Sequence, residues 1–418
     1  MSLLFIKKEG MTICMHNPTG KERLGLALLL GMLGILGPLN IDMYLPSFPG
    51  IASELDVSAS LVQLSLTTCL VGLAIGQIVI GPISDAQGRR KPLMISIFLF
   101  SLSSLLCALA PNIMTLVVAR FLQGFTASSG VVLSRAVVRD VFSGRALTKF
   151  FALLMVINAV APMIAPISGG AILLLPSSSW HSIFYFLCLL GLIIVLIIAL
   201  RLEETLPLEK RTPSSLGHSI RTIGSLLKDR SFIGYALTVG LIHGGSFAYV
   251  SGTPFVYQEI YGVSPQVFSI LFGMNGLAII SGSFIIGRLG EFIHERSLLR
   301  AAVIIAVSAT SILLVMTIIK GPLATLVISI FIYMTTIGMV LTSTFTLAME
   351  HQGHRAGSAS ALIGMLPLLF GSLVSPLVGI NESTAVPMGA ILFVTSCAGA
   401  IIFFKLTKQN QQKKAVMK

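Results

Sequence analysis

Charge is scarce in this chain. Only 11% of its 418 residues are Asp, Glu, Lys or Arg, while 55% are hydrophobic and the mean hydropathy is +0.93. So much apolar surface cannot be hidden inside a water-soluble core, which excludes a soluble globular protein. Catalytic constellations are missing too. The chain has no Walker loop, no H-E-x-x-H and no G-x-S-x-G, so neither an ATP-driven pump nor a membrane hydrolase is indicated. Its cysteines, Cys14, Cys69, Cys107, Cys188 and Cys397, lie in a tail and in four separate apolar runs without C-x-x-C spacing. That pattern indicates neither a disulfide framework nor a metal site. No cofactor, metal or catalytic residue is expected, and the energy for any work must come from an ion gradient.

What is present is a succession of apolar runs. Crossing ~30 Å of hydrocarbon takes about 20 residues per helix, so the length holds about a dozen spans of a lipid bilayer with short connections. The net charge of +12 would point to nucleic acid in a soluble protein, but here position decides. Every one of the 28 Lys and Arg residues except Arg120 and Lys320 falls in the two tails or in the loops after even-numbered spans. The positive-inside rule then places both termini and the central loop in the cytoplasm, and no nucleic-acid partner is expected. The first apolar run follows Lys21 and Arg23, is longer than a signal-peptide core and lacks a cleavage site, so it reads as a retained helix. Met11 and Met15 stand as alternative starts.

The expected order is a cytoplasmic tail over 1–23, six spans over 24–201, a polar cytoplasmic linker over 202–230, six more spans over 231–404 and a basic cytoplasmic tail over 405–418. The linker carries an expected amphipathic helix near Leu216 to Leu227. The first span is expected to reach about Tyr44, with Pro46 and Pro49 leading into a short acidic outer loop at Glu54 and Asp56. Pro111 and Asn112 read as a tight outer turn, and Trp180 suits a membrane interface.

Gly81 to Leu93, GPISDAQGRRKPL, is a charged turn between two such spans. Gly81 is expected to let its helix approach a neighbour closely, and Asp85 and Arg89 stand within pairing distance at four residues' spacing. Pro92 suits a first helical turn. The pattern, with Gly88, Arg89 and Arg90 at fixed offsets, resembles the signature loop between the second and third helices of the major facilitator superfamily. Gly287, Leu289 and Glu291 repeat Gly81, Ile83 and Asp85 at an offset of 206 residues. Two parallel six-helix halves, an all-α integral membrane fold of twelve helices in two pseudo-symmetric bundles, are therefore expected.

Ionisable groups inside a bilayer are costly and mark function by default. Asp42, Arg120 and His243 are the three within spans. Asp42 and Arg120 fall at similar depth in one half, where they could face each other or a shared cavity; alternatively Asp42 caps its helix end and Arg120 pairs locally. A carboxylate whose exposure alternates can take up and release a proton. His243 has a plainer reading as a packing residue. Small residues follow Arg120 in RFLQGFTASSG, which favours close helix approach. In APMIAPISGG, Pro162 and Pro166 remove backbone hydrogen bonds and are expected to bend the helix, while Gly169 and Gly170 leave a smooth face fit for a hinge, a proton seal or plain packing.

These segments resemble the proton-coupled multidrug antiporters of that superfamily. DMYLP with SFP at Asp42 to Pro49, APMIAPISGG, EETLP at Glu203 to Pro207 and AGSASALIG at Ala356 to Gly364 are similar to its bicyclomycin and chloramphenicol resistance branch. Ala86 stands where the signature loop often has a base, and Ala165 where the fifth-helix motif usually has glycine. The resemblance implies that Asp42 and Arg120 couple protons, and that Gly81, Asp85, Gly88, Arg89 and Arg90 gate the inner side near the eleventh helix. It further implies a cavity lined by Asn40, Tyr44, Gln123, Asn158, His243, Tyr249 and Asn275, with Met and Phe around them to suit varied lipophilic ligands. The expected function is export of hydrophobic or amphipathic drugs across the cell membrane in exchange for protons, by a monomer. The alternative is proton-coupled or facilitated uptake of a small nutrient on the same fold.

Overall fold

A computed structural model describes residues 20–211, 224–350, 352, 356–381 and 383–407. They are helical throughout, without a strand among the described residues. The helices are α1 (Gly20–Asp42), the short α2 (Phe48–Glu54), α3 (Ala59–Gln87), α4 (Arg90–Ala108), α5 (Ile113–Val141), α6 (Gly144–Ile172) and α7 (Trp180–Arg201) in the first half. The second half holds α8 (Arg230–Phe255), α9 (Pro265–Leu289), α10 (Glu295–Ile318), α11 (Leu323–Met349), α12 (Ala356–Val374) and α13 (Val386–Leu406). The amphipathic helix expected near Leu216 falls largely outside the described residues.

Helix is the form these runs must take, because hydrocarbon offers backbone amides no partner outside the segment. Polar residues mark the starts. Asn112 accepts from Thr115 N at 2.9 Å to open α5, Asp229 accepts from the amides of Ser231 and Phe232 to open α8, and Ser264 accepts from Val267 N before α9. Among the described residues, eleven helices are long and apolar enough to cross a membrane, and α6, at 29 residues, reaches about 44 Å at 1.5 Å per residue. Leu189, Leu192, Leu196 and Leu200 of α7 stand exposed on the outside of the bundle, a surface suited to lipid. The chain is a multi-pass membrane protein.

One finding departs from expectation near the first span. The chain after Asp42 is not a loop but a 3-10 turn over Leu45–Ser47 and then α2, with Pro46 and Pro49 in first-turn positions where a missing N–H costs nothing. Helix α6 runs unbroken through Pro162 and Pro166.

Close helix approach also lies elsewhere than the signature loop. A Cβ on Gly81 would meet only Val132 at 3.8 Å, an ordinary contact, whereas one on Gly72, Gly76 or Gly124 would overlap backbone across the α3–α5 seam. The second half repeats this, since Gly282 of α9 lies against the Thr335 carbonyl and Gly338 of α11 against that of Ile279. Gly282 follows Gly76 by the same 206 residues that separate Gly287 from Gly81. The repeat read from three loop residues is thus carried in the packing.

The halves meet through α6 on α9 and α3 on α12. At the end opposite the signature loop they are joined by Gln63 Nε2 to the Ser251 carbonyl at 3.2 Å, Gln258 Nε2 to the Pro46 carbonyl at 3.2 Å, and Phe48 against Phe255 with centroids 5.9 Å apart. That end of the molecule is closed.

Candidate functional site

Arg120 is the largest fully buried side chain, at 0% exposure in the middle of the first half. Helix α1 stops at Asp42, so its last carbonyls lack intrahelical partners. Arg120 reaches into that gap. Its Nη2 donates to the Asn40 carbonyl at 2.8 Å, and its Nη1 to Asn40 Oδ1 at 2.6 Å and Gln123 Oε1 at 2.5 Å. A cation at the C-terminal end of a helix also opposes the helix dipole. The guanidinium lies 4.2 Å over the Tyr44 ring, which packs between Phe48 and Phe184.

A second layer orients these partners. Gln123 Nε2 donates to Ser104 Oγ at 2.8 Å and the Cys107 thiol donates to Gln123 Oε1 at 3.6 Å, so the amide oxygen must face Arg120. Asn40 Nδ2 donates to Cys69 Sγ at 3.1 Å, which turns Oδ1 the same way. Tyr44 and Ser65 share a hydrogen bond at 3.3 Å. Asn40, Tyr44 and Gln123 therefore face Arg120 in this conformation. Cys69 and Cys107, which in the sequence indicated neither a disulfide nor a metal site, are part of this network.

Asp42 is 7% exposed, and no hydrogen bond or ion pair reaches its carboxylate among the described residues. Asp42 and Arg120 do not pair. The carboxylate lies within electrostatic range of Tyr249 across the seam between halves, where Asn275 Nδ2 donates to the Tyr249 hydroxyl at 2.6 Å and Phe272 stacks on the ring. Gly169 of α6 packs on the Met43 carbonyl beside Asp42, and Gly170 on Ser269 of α9 in the other half. His243 is partly buried, stacks on Phe247 at 6.0 Å, and has no protein partner for Nδ1. The Asn158 side chain lies outside the described residues.

The signature loop is knit within the first half. Gly88 sits at φ +92, and a Cβ there would strike the Glu204 carboxylate. Arg89 pairs with Asp85 at 2.5 Å, donates to Asp140 Oδ2 at 2.8 Å and to Ser84 Oγ at 2.7 Å. Burial works against its charge, but Asp140 and Asp85 outweigh that and hold the guanidinium above its ordinary value. Glu204, from EETLP, accepts from the backbone N–H of Arg89 at 2.7 Å and of Arg90 at 3.3 Å, placing a carboxylate on the N-terminus of α4. Arg90 Nη2 donates to the Ala199 carbonyl at 2.7 Å. Residues 353–355, which precede the eleventh span, lie outside the described residues. Glu204→Ala is expected to cost about 1 kcal/mol locally, speeding hydrogen exchange of the Arg89 and Arg90 amides roughly five-fold with melting little changed. A cavity of about 490 Å³ between the α9–α10 turn and the end of α11 is lined by Glu291, His294 and Glu350 and stands apart from Arg120.

The model of the Major Facilitator Superfamily matches residues 30–376. The chain belongs to the major facilitator superfamily. It is a transporter, not an enzyme. It is 78% identical over 396 residues, 95% of this chain and 98% of the relative, to a Bacillus subtilis protein described as an uncharacterized MFS-type transporter, YdgK. It is 31% identical, over 92% of this chain and 96% of the relative, to the bicyclomycin resistance protein homolog of Haemophilus influenzae. Multidrug resistance protein MdtL of Salmonella heidelberg is 30% identical over 58% of this chain and 60% of its own. In fold, the chain matches a bacterial homologue of the lysosomal transporter Spinster in an inward-facing, occupied conformation, with a TM-score of 0.77 at 15% identity over 94% of this chain and 99% of that one. A D-xylose–proton symporter matches at TM-score 0.74 and 15% identity, over 93% and 99%. The superfamily expected from the signature loop and the helical fold are thereby shown.

Proposed function

We propose that this transporter is a proton-driven antiporter that exports hydrophobic or amphipathic compounds, antibiotics among them, through the cell membrane. The observation that carries the reading is Asp42, a carboxylate buried in a membrane seam without an ion-pair partner among the described residues, at the point where α1, α6 and the second half converge. A group in that position can exchange a proton only when the halves part, which is what coupling by alternating access requires. Arg120 fixes the end of α1 on which Asp42 stands, so it couples as a positioning group, through Asn40.

The named relatives support drug export, and the distribution of Lys and Arg supports cytoplasmic termini and linker. With that orientation the end joined by Gln63, Gln258 and Phe48 faces outward. Tyr249, Asn275 and His243 supply polar points for a substrate on the second half, and the chain works as a monomer of two six-helix units, 24–201 and 231–404. The test is drug-triggered proton movement in proteoliposomes under an imposed pH gradient. Proton flux opposite to drug flux is the expected result. Movement with sugars or amino acids but with no drug would sink the export reading.

A further inference from the structure

At the closed end, opposite the signature loop, side chains from two elements converge. Glu54 ends α2, and Trp180 and His181 open α7. Trp180 Nε1 donates to Glu54 Oε2 at 2.8 Å, His181 Nε2 stands 2.9 Å from Glu54 Oε1, and His181 Nδ1 stands 2.7 Å from the Ala108 carbonyl at the end of α4. A carbonyl oxygen only accepts, so Nδ1 must carry a hydrogen. An ionised carboxylate also only accepts, so the second contact requires a hydrogen on Nε2 or on the carboxyl. Either way the pair holds one proton more than a neutral imidazole and a carboxylate do.

We propose that Glu54 and His181 form a proton-binding site at this rim, separate from Asp42, which fastens α2 when the proton is bound. Loss of the proton to bulk water leaves the Nε2 lone pair facing the carboxylate, and the contact turns repulsive. Solvent reaches the pair directly, since the His181 and Glu54 side chains are 28% and 49% exposed. No other ionisable side chain pairs with His181 among the described residues. Asp56 follows α2, and the charges of the helices carrying the ring's contacts, Arg90 and Lys91 of α4 and Arg201 of α7, stand at the opposite ends.

What the proton fastens is part of the seam between halves. The segment ending at Glu54 carries Phe48 and Pro46, which meet Phe255 and Gln258 of the second half. Binding of the proton therefore tightens the closed end, and its loss leaves Glu54 held by Trp180 alone and loosens α2. An exposed ion pair is weak by itself, so the latch biases the seam and does not hold it alone.

The chain carries its own reporter. Trp180 is the one tryptophan in the sequence, is 2% exposed, and stacks on the His181 ring at 3.7 Å between centroids. An imidazolium against an indole quenches its emission. Tryptophan emission of the purified full-length protein is therefore expected to fall in a single step as the pH is lowered and the pair takes up its proton. His181→Gln abolishes the step while keeping a hydrogen-bonding side chain. Asp42→Asn leaves the step in place, which separates this site from proton coupling at Asp42. Emission that ignores pH, a step that survives H181Q, or a step lost in D42N would each overturn the proposal.

Discussion

In proteoliposomes, Asp42→Asn is expected to reduce drug-triggered proton flux at least about ten-fold, to background, while the drug still binds. Asn has nearly the same size and hydrogen-bonding reach as Asp, so the close packing of Met43 against Gly169 and the fit at the end of α1 survive. What it lacks is a proton that can come and go. Neighbouring groups do not replace that function. Arg120 is held by Asn40 and Gln123, and Tyr249 is tied to Asn275. The melting temperature should move little, since no ion pair is broken. Wild-type exchange in the D42N protein would remove Asp42 as the proton carrier and leave transporter and fold untouched.

Much of the fold was legible because a bilayer permits so few structures. An apolar run of about 20 residues must be a helix, and the loops carrying Lys and Arg sort themselves to one side. Local spacing was legible for the same reason that a helix is regular, and the Asp85–Arg89 pair at four residues is present as read. What the sequence could not show were partners brought together by packing. Arg120 meets Asn40 from 80 residues away, Arg89 meets Asp140 from 51 and Glu204 from 115, and no periodicity in one helix encodes its neighbour. EETLP was visible as a likeness, but only the fold shows that its Glu204 sits on the first amides of α4. Glycine misled for a related reason. Sequence marks where a Cβ is missing, not whether anything fills its place: Gly81 drew attention but has only Val132 near it, Gly72 and Gly76 pack on α5 without having been singled out, and Gly124 lies in the small-residue run that was expected to allow close approach.

Gly169→Ala tests the other half of the coupling reading, and it is expected to cost about 3 kcal/mol and to abolish exchange. Position 169 offers no room for a methyl, because the Cβ would overlap the Met43 carbonyl, and a backbone atom cannot rotate aside as a side-chain tip can. Either α6 withdraws or the end of α1 is pushed toward the second half. Both displace Asp42, one residue from the point of contact. Gly170→Ala overlaps only the Ser269 side chain, which has somewhere to go, and meets the Pro265 carbonyl at an ordinary 3.6 Å, so its cost should be about 1 kcal/mol and fall on the α6–α9 seam instead. Thermal melting separates the two by magnitude, and proton–drug exchange separates them by kind. The G170A protein should retain exchange at a reduced rate, whereas G169A should bind drug without moving protons. Equal losses in both would mean that the glycine pair serves only the packing of α6, and that its place beside Asp42 has no bearing on coupling.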